Sequence, residues 1–127
     1  MNEDYVSLEV AKLLKEKGFD WLVNHYYNKF GNFNNTYGTW ENYSDLVGEL
    51  MISAPTLYIA RKWLRETKDI HIMIDVCASG YYPVLWKTNR TFIKTLADKG
   101  PNDGGVWDTY EGALQAGILE SLKLICQ

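Results

Sequence analysis

The sequence predicts an α+β fold in which a small antiparallel sheet of two to three strands packs against about three helices. Apolar and polar residues alternate over residues 70–76, which is typical of a strand. Apolar stripes at helical spacing follow good capping residues near both ends and in the middle of the chain. Short turns join the predicted strands, as in antiparallel pairs. The length of 127 residues fits a single domain, 1–127.

The first helix is predicted from about Leu8 to Lys17. Ser7 can cap its N-terminus, because a hydroxyl accepts from a free N–H of the first turn. Gly18 suits the left-handed conformation that often ends a helix, and Phe19 can then fold back on the last turn.

The second long helix is predicted to open at Ser53, which can cap it. Pro55 would lie in its first turn, where a missing N–H costs nothing. The helix is expected to end at Asp69. Its buried face is predicted to consist of Leu57, Ala60, Trp63 and Leu64. Residues 44–52 are ambiguous and fit a short helix.

Two strands are predicted next, over residues 70–76 and 81–87, with Ser79 and Gly80 as the turn. Pro83 lacks an N–H and would place the second strand at a sheet edge, or lie near the strand's start. Residues 90–96 fit a third extended stretch, although a helix is an alternative.

The last helix is predicted from near Asp108, which forms a capping box with Glu111. Its buried stripe is expected to contain Leu114, Ile118, Ser121, Leu122 and Ile125. Ala113 and Gly117 are small and four residues apart, so another element can approach closely there. One interpretation is the interface of a symmetric homo-oligomer.

Residues 21–43 have the most unusual composition in the chain. Eight of these 23 residues are aromatic, six are Asn and two are Gly. The aromatics follow no helical or strand period, and Asn and Gly favour irregular backbone. Rigid rings with adaptable polar groups are also typical of binding loops. Residues 21–23 are expected to belong to the scaffold, whereas 24–43 are predicted to recognise a ligand or partner.

Three binding functions follow from this composition. A pocket could stack planar bases on the rings while cations hold phosphates. A protein surface could use the Tyr and Trp side chains as anchors. Single-stranded nucleic acid is the weakest option, because the net charge is −3 and no basic groove is evident. The predicted ligand-binding residues are His25, Tyr26, Tyr27, Phe33, Tyr37, Trp40, Tyr43, Arg61 and Arg65.

The sequence shows no pattern of a catalytic or cofactor site. It has no phosphate-binding glycine loop, and its two Cys and two His offer no close-spaced zinc ligands. No nucleophile is marked near His25, and His71 fits an ordinary surface or hydrogen-bonded histidine. We therefore expect a non-enzymatic protein with no cofactor and no metal. The acidic balance argues against duplex nucleic acid as a partner. Cys77 and Cys126 are expected to be buried free thiols.

Three segments resemble a group of small uncharacterised proteins found in phages and prophages of gut bacteria. They are SLEVAKLLKEKGFD at 7–20, SAPTLYIARKWLRETKDIHIMI at 53–74 and DTYEGALQAGILESLKLI at 108–125. In that group KLLKEKGF opens the first helix, APT leads to a helix ending in KWLRE, and a TYEEA-type helix closes the chain. Gly112 stands where the group often has a second acidic residue. Residues 21–52 correspond to the part that varies most.

The resemblance implies a phage-related origin and one shared fold, and no activity or catalytic residue. In that setting the aromatic segment suggests sequestration of a nucleotide-type immune signalling molecule of the host. The alternative is a module that binds a host or phage protein through the same segment. The N-terminus lacks the basic start and apolar stretch of a secretory signal, and no apolar run approaches the roughly 20 residues of a membrane span. We therefore expect a cytoplasmic protein, in the host cell if it is phage-encoded.

Overall fold

The computed structural model describes residues 4–36, 39–46, 51–102 and 104–125. The helices separate groups of one to three strands along the chain, and the α+β class is confirmed. The strands form two three-stranded antiparallel sheets, in the orders β2-β1-β3 and β4-β5-β6. We call them the N-terminal and the C-terminal sheet. The elements are α1 (Leu8–Glu16), β1 (His25–Asn28), β2 (Phe33–Asn35), α2 (Tyr43–Leu46), β3 (Met51–Ser53), α3 (Leu57–Lys68), β4 (His71–Cys77), β5 (Gly80–Lys87), β6 (Thr91–Thr95) and α4 (Tyr110–Leu124).

The N-terminal sheet is built largely from the aromatic segment and was not predicted. Its asparagines and glycine shape the turn between β1 and β2. The Asn28 side chain accepts hydrogen bonds from the N–H groups of Phe30 and Asn32 at 2.9 and 3.0 Å, and Gly31 has a φ of +82°. These residues therefore have a local structural role, since Asn side chains stabilise turns and glycine adopts positive φ without strain.

Helix α1 has the predicted ends. The Ser7 hydroxyl accepts from the N–H of Val10 at 3.2 Å, and Gly18 adopts a φ of +96°. The Phe19 N–H donates to the carbonyl of Leu14 at 2.9 Å, which closes the last turn as expected.

The predicted cap of α3 was wrong by three residues. Thr56 caps the helix by accepting from the N–H of Ile59 at 3.1 Å, so Pro55 precedes the helix instead of lying in its first turn. Ser53 lies in β3 and exchanges hydrogen bonds with Ser44, at 3.0 and 3.2 Å, which tie α2 to β3. Asp69 ends α3 with a φ of 56°, as a left-handed cap.

The C-terminal sheet confirms the predicted strands, and the stretch predicted over residues 90–96 contains strand β6 and not a helix. The edge position predicted for β5 from Pro83 was wrong, because β5 is the central strand. The carbonyl of Pro83 accepts from the N–H of Leu96 at 3.0 Å, on the side facing away from β4. The missing N–H of Pro83 points to that same side, beyond the last residue of β6, so the β4–β5 ladder loses no bond.

Helix α4 is capped by Thr109, whose hydroxyl accepts from the N–H of Gly112 at 2.9 Å. The predicted capping box at Asp108 was therefore wrong by one residue. The Asp108 carboxylate instead accepts a hydrogen bond from the Asn102 side chain. Within the described residues, no helix is long and apolar enough to cross a membrane.

Helix α4 packs directly on β4 and β5 through Gly117. A Cβ added at Gly117 would lie 2.9 Å from Ile72 Cγ2 and 2.9 Å from Pro83 Cβ. The small-residue face predicted for a dimer is thus occupied within the chain. One apolar cluster includes residues of α1, α3, α4 and both sheets, among them Val10, Leu64, Leu85 and Ile118.

The thiol of Cys77 is exposed at the end of β4, so its predicted burial was wrong. The strand runs past the end of the core there, because Ile72 is buried while Val76 is exposed. Cys126 lies outside the described residues.

We predict that Gly117→Ala lowers the free energy of unfolding by about 1–3 kcal/mol, because the new methyl overlaps Ile72 and Pro83. The gain in helix propensity, about 1 kcal/mol, is smaller. Gly112→Ala, whose closest contact would be the Thr109 hydroxyl, is the matched control and should change stability by about 1 kcal/mol at most. Urea unfolding measures both variants. A Gly117→Ala variant as stable as the parent would contradict this packing.

We also predict that stability falls as the pH drops below 6.5. Burial lowers the pKa of His25 from its ordinary value of 6.5, so the unfolded chain takes up this proton first. The contribution of neutral His25 is complete above pH 6.5 and declines as the pH falls towards the lower pKa of the folded state. Urea midpoints between pH 7.5 and 5.0 measure the effect. The His25→Phe variant should lose this part of the pH dependence, and an unchanged slope would refute the assignment.

Candidate functional site

Most of the predicted aromatic site is packed inside the protein. The imidazole of His25 is buried, and its ring lies parallel to that of Phe33, with centroids 5.0 Å apart. The Tyr5 ring contacts both, at 4.3 Å from His25 and 5.1 Å from Phe33, and His25 Nδ1 donates to the side-chain oxygen of Asn24 at 2.8 Å. Tyr27 is also buried, and its hydroxyl donates to the carbonyl of Val6 at 2.7 Å. Burial raises the pKa of Tyr27 above its ordinary value of 10.0.

A second pair of predicted rings packs on the other side of β1. Tyr26 stacks on Tyr43 with centroids 5.0 Å apart, and Tyr43 is buried. The Tyr43 hydroxyl donates to the carbonyl of Thr39 at 2.8 Å. These two rings hold α2 against β1.

Trp40 differs from the other predicted rings. Among those that the structure describes, it alone is exposed, with 55% of its surface accessible. Tyr37 lies outside the described residues. Of the expected scaffold residues 21–23, Val23 is buried and bridges to Glu41, whereas Leu22 is exposed. The structure therefore packs five of the predicted residues into two groups. His25, Tyr27 and Phe33 form one group, and Tyr26 with Tyr43 forms the other.

The two predicted arginines lie elsewhere, on α3. Arg61 Nη1 donates to the hydroxyl of Tyr110 at 3.1 Å, and Arg65 lies 3.9 Å from the Glu66 carboxylate. In the described part of the chain, no hydrogen bond or ring contact joins either arginine to the predicted rings. Both arginines line a groove of about 270 Å³ beside β4, which we call the α3–β4 groove.

A larger cleft of about 560 Å³ opens on the face of the C-terminal sheet that α4 leaves uncovered. Its floor comes from β4 and β5, and its rim is the turn between β5 and β6. We call it the Trp86 cleft. The residues that line it are His71, Met73, Trp86, Lys87, Thr88, Asn89 and Arg90.

Strand alternation explains the floor of the Trp86 cleft. Ile72 and Leu85 are paired and buried towards α4, so their neighbours Met73 and Trp86 point to the opposite face. Met73 is 59% exposed. Trp86 packs edge-on against Phe92 of β6, with centroids 5.5 Å apart, and Phe92 is 54% exposed. The result is an apolar surface with one partly exposed indole.

The rim is basic and holds two residues in left-handed conformations. Asn89 has a φ of 68° and Arg90 a φ of 63°. Asn tolerates this region, but for Arg it costs roughly 1–2 kcal/mol. Lys87 and Arg90 are both exposed. A strained, exposed arginine beside an open cleft is the kind of outlier from which a functional hypothesis can start.

The carboxylate of Asp69 connects the end of α3 to this rim. One of its oxygens, Oδ1, accepts from both the hydroxyl and the N–H of Thr88 and lies 3.1 Å from His71 Nε2. The hydrogen bond from Thr88 is the main cause that lowers the pKa of Asp69, with His71 contributing further. Asp69 therefore fixes two residues that line the cleft, Thr88 and His71.

In the described ranges, no group of three or more His, Cys, Asp or Glu side chains is placed to hold a metal ion. The groups around the Trp86 cleft offer one indole, one thioether, one imidazole, one hydroxyl and two exposed cations. Such groups can stack on a planar ligand and neutralise negative charge.

Comparisons with protein-family models, curated proteins and solved structures give no match for this chain. The resemblance to the phage group therefore stays a prediction. Function has to be argued from the geometry alone.

The sequence contained a usable signal for the Trp86 cleft. Once residues 70–76 are a strand with its isoleucines buried, the alternate residue Met73 must be on the other face. The register that places Trp86 next to His71 depends on the two-residue turn at Ala78 and Ser79, whereas the turn was predicted at Ser79 and Gly80, one residue later. The contact between Asp69 and Thr88, 19 residues apart, had no local signal.

We predict that variants at Asp69 separate backbone strain from hydrogen bonding. Asp69→Asn keeps an acceptor and tolerates positive φ, Asp69→Gly relieves the φ but removes the acceptor, and Asp69→Ala loses both advantages. Stability to urea should fall in the order parent, Asn, Gly, Ala.

Acid should reduce the advantage of the parent over Asp69→Asn. The pKa of Asp69 is lowered in the folded state, so its contribution is present above the ordinary value of 3.8 and lost as the pH falls. An Ala variant as stable as the Gly variant would contradict the left-handed cap.

Proposed function

We propose that this protein is a non-enzymatic binding protein whose Trp86 cleft holds a planar, anionic small molecule of the nucleotide class. The observation that carries the proposal is the partly exposed indole of Trp86 beside a basic turn whose Arg90 has a strained backbone. Base stacking on an aromatic side chain and phosphate binding by cations are the two interactions that such ligands need.

Each part of the ligand has a partner of suitable chemistry in the cleft. The base would lie on Trp86 and against the flexible side chain of Met73, which adapts to ring shape. Phosphate oxygens would be held by Lys87 and Arg90. Polar edges of the base or sugar would meet the Thr88 hydroxyl and the His71 ring.

Binding without reaction is the proposed activity, because the cleft presents no activated nucleophile. Its one hydroxyl, on Thr88, donates to the Asp69 carboxylate, and His71 Nε2 also donates to Asp69, so this ring nitrogen is not free to take the proton of Thr88. If the phage origin is correct, the role that fits best is sequestration of a nucleotide-type immune signalling molecule of the host. The protein would then act as an anti-defence sponge.

A protein-binding function is the second candidate, and the exposed apolar side chains favour it. Phe30 and Trp40 protrude from the aromatic segment, and Met73 and Phe92 protrude from the C-terminal sheet. Exposed aromatic side chains often act as anchors at protein interfaces. A second copy of the chain or a host or phage protein could bind there.

We predict that ADP-ribose or a cyclic dinucleotide raises the melting temperature and releases heat on binding. Trp86→Ala should weaken this binding by about tenfold or more, in line with the loss of one stacked base. Arg90→Gly should also weaken it, while leaving stability within about 1 kcal/mol, because glycine relieves the positive φ. Trp40→Ala is the matched control, since it removes an exposed Trp outside the cleft.

The control also discriminates between the two locations. Loss of binding in Trp40→Ala with normal binding in Trp86→Ala would return the site to the aromatic segment. Absence of any thermal shift with both ligand types would reject the nucleotide proposal in favour of the protein-binding candidate.

A further inference from the structure

We propose that the outer edge of β4 binds an extended acidic segment of a partner protein, which joins the C-terminal sheet as a fourth strand beside α3. The inference does not require the nucleotide proposal, although His71 and Met73 line both the Trp86 cleft and the α3–β4 groove. It rests on the hydrogen-bonding direction of β4, on its lack of protection and on the charge of α3.

The register of the β4–β5 hairpin determines which backbone groups face outwards. Its two-residue turn makes Cys77 and Gly80 a hydrogen-bonded pair, so every second residue of β4 bonds to β5. The intervening residues Ile72, Ile74 and Val76 must point their N–H and C=O groups away from β5. Pro83, opposite Ile74, fits this alternation because it has no N–H to offer β4.

These outward groups are largely unpaired. Among the described residues, no hydrogen bond joins the backbone of Ile72 or Ile74 to a partner across the outer edge. The N–H of Val76 reaches only the neighbouring carboxylate of Asp75, at 2.9 Å. Strand β4 therefore presents a row of free donors and acceptors to which another strand can pair.

The sequence of β4 lacks the devices that usually block such pairing. Natural edge strands carry Lys, Pro or a bulge to prevent association. In β4, HIMIDVC, none of these is present; its one carboxylate, Asp75, covers only the N–H of Val76, a residue that is 65% exposed. The opposite edge strand β6 has both a register shift and Lys94, which pairs with Glu120 of α4 at 2.8 Å. The unprotected edge is thus a feature of β4.

Helix α3 forms the second wall of the proposed binding site, and its positive charge favours an acidic partner. The α3–β4 groove lies between Arg61 and Arg65 on the helix and residues 71–73 on the strand. The half-buried Lys62 and Lys68 add positive charge to α3, which is basic despite Glu66. A bound strand would alternate its side chains between α3 and the open face. Acidic residues fit the first side and apolar residues, extending the surface of Met73, fit the second.

The same charge disfavours a second copy of this chain as the occupant. Pairing β4 with β4 of another copy would bring two basic α3 helices to the same interface. Like charges placed together are unfavourable, whereas an acidic strand is complementary. The partner segment therefore belongs to a different, acidic chain.

The test uses a fluorescent, capped peptide of eight residues that alternates Glu and Val, with affinity measured by anisotropy on the full chain. Two peptides methylated on alternate backbone amides provide the decisive comparison. Alternate N–H groups of an extended strand point to opposite sides, so only one of the two methylated peptides lacks the N–H groups that face β4. We expect that peptide to bind about tenfold more weakly or worse, and the other phase to bind nearly normally. Equal affinities for the two phases would overturn the proposal.

Variants of the protein test the two walls separately. Arg61→Glu with Arg65→Glu should abolish binding of this peptide and improve binding of a Lys–Val peptide of the same pattern. Val76→Pro removes one outward N–H and should weaken binding about fivefold, with Val76→Ala as the control that keeps it. Thermal unfolding verifies that each variant is folded. Trp86→Ala should bind the peptide normally, which separates this site from the nucleotide cleft.

Light scattering tests whether a second copy of the chain binds the outer edge of β4 instead. The parent and the Val76→Pro variant should have the same molecular mass in solution. A dimer that dissociates on this substitution would assign the edge to a second copy and overturn the proposal. Failure of the parent to bind the Glu–Val peptide at millimolar concentration would overturn it as well.

Discussion

The absence of a side chain at Gly117 sets the position of the last helix on the C-terminal sheet. With Ile72 and Pro83 directly against its backbone, α4 covers one face of β4 and β5 and completes the apolar cluster shared by both sheets. Close packing of this kind leaves no room for relaxation, so even one added methyl group destabilises the contact. This contact decides which face of the C-terminal sheet is core and which stays open.

The candidate sites follow from that decision. Because the isoleucines of β4 face α4, Met73 and Trp86 form the floor of an open cleft, and the outer edge of β4 remains beside α3. Asp69 links the helix end to the rim of the cleft through Thr88. The aromatic segment has a different role, because its hydroxyls and rings tie the N-terminal sheet to its neighbours. Most of its rings are therefore used in packing, and ligand binding by this segment stays a prediction.

The long elements were predictable because their signals are local. The cap at Ser7, the left-handed Gly18, the end of α3 at Asp69 and the alternation in β4 all appear in the structure. The caps at Thr56 and Thr109 were misassigned because several capping residues stand close together, and packing selects among them. The N-terminal sheet was missed because its strands have three or four residues, too few for a period to emerge. The Trp86 cleft depends on the strand register and on a contact between distant residues.

We propose that recognition takes place on the open side of the C-terminal sheet and not in the aromatic segment. The most direct measurement is a titration of the ¹⁵N-labelled protein with ADP-ribose, followed by amide chemical shifts. Binding in the Trp86 cleft should shift the amide signals of residues 71–73 and 86–90 and leave those of residues 25–43 nearly unchanged. Shifts concentrated in 25–43, or none at saturating concentration, would contradict it.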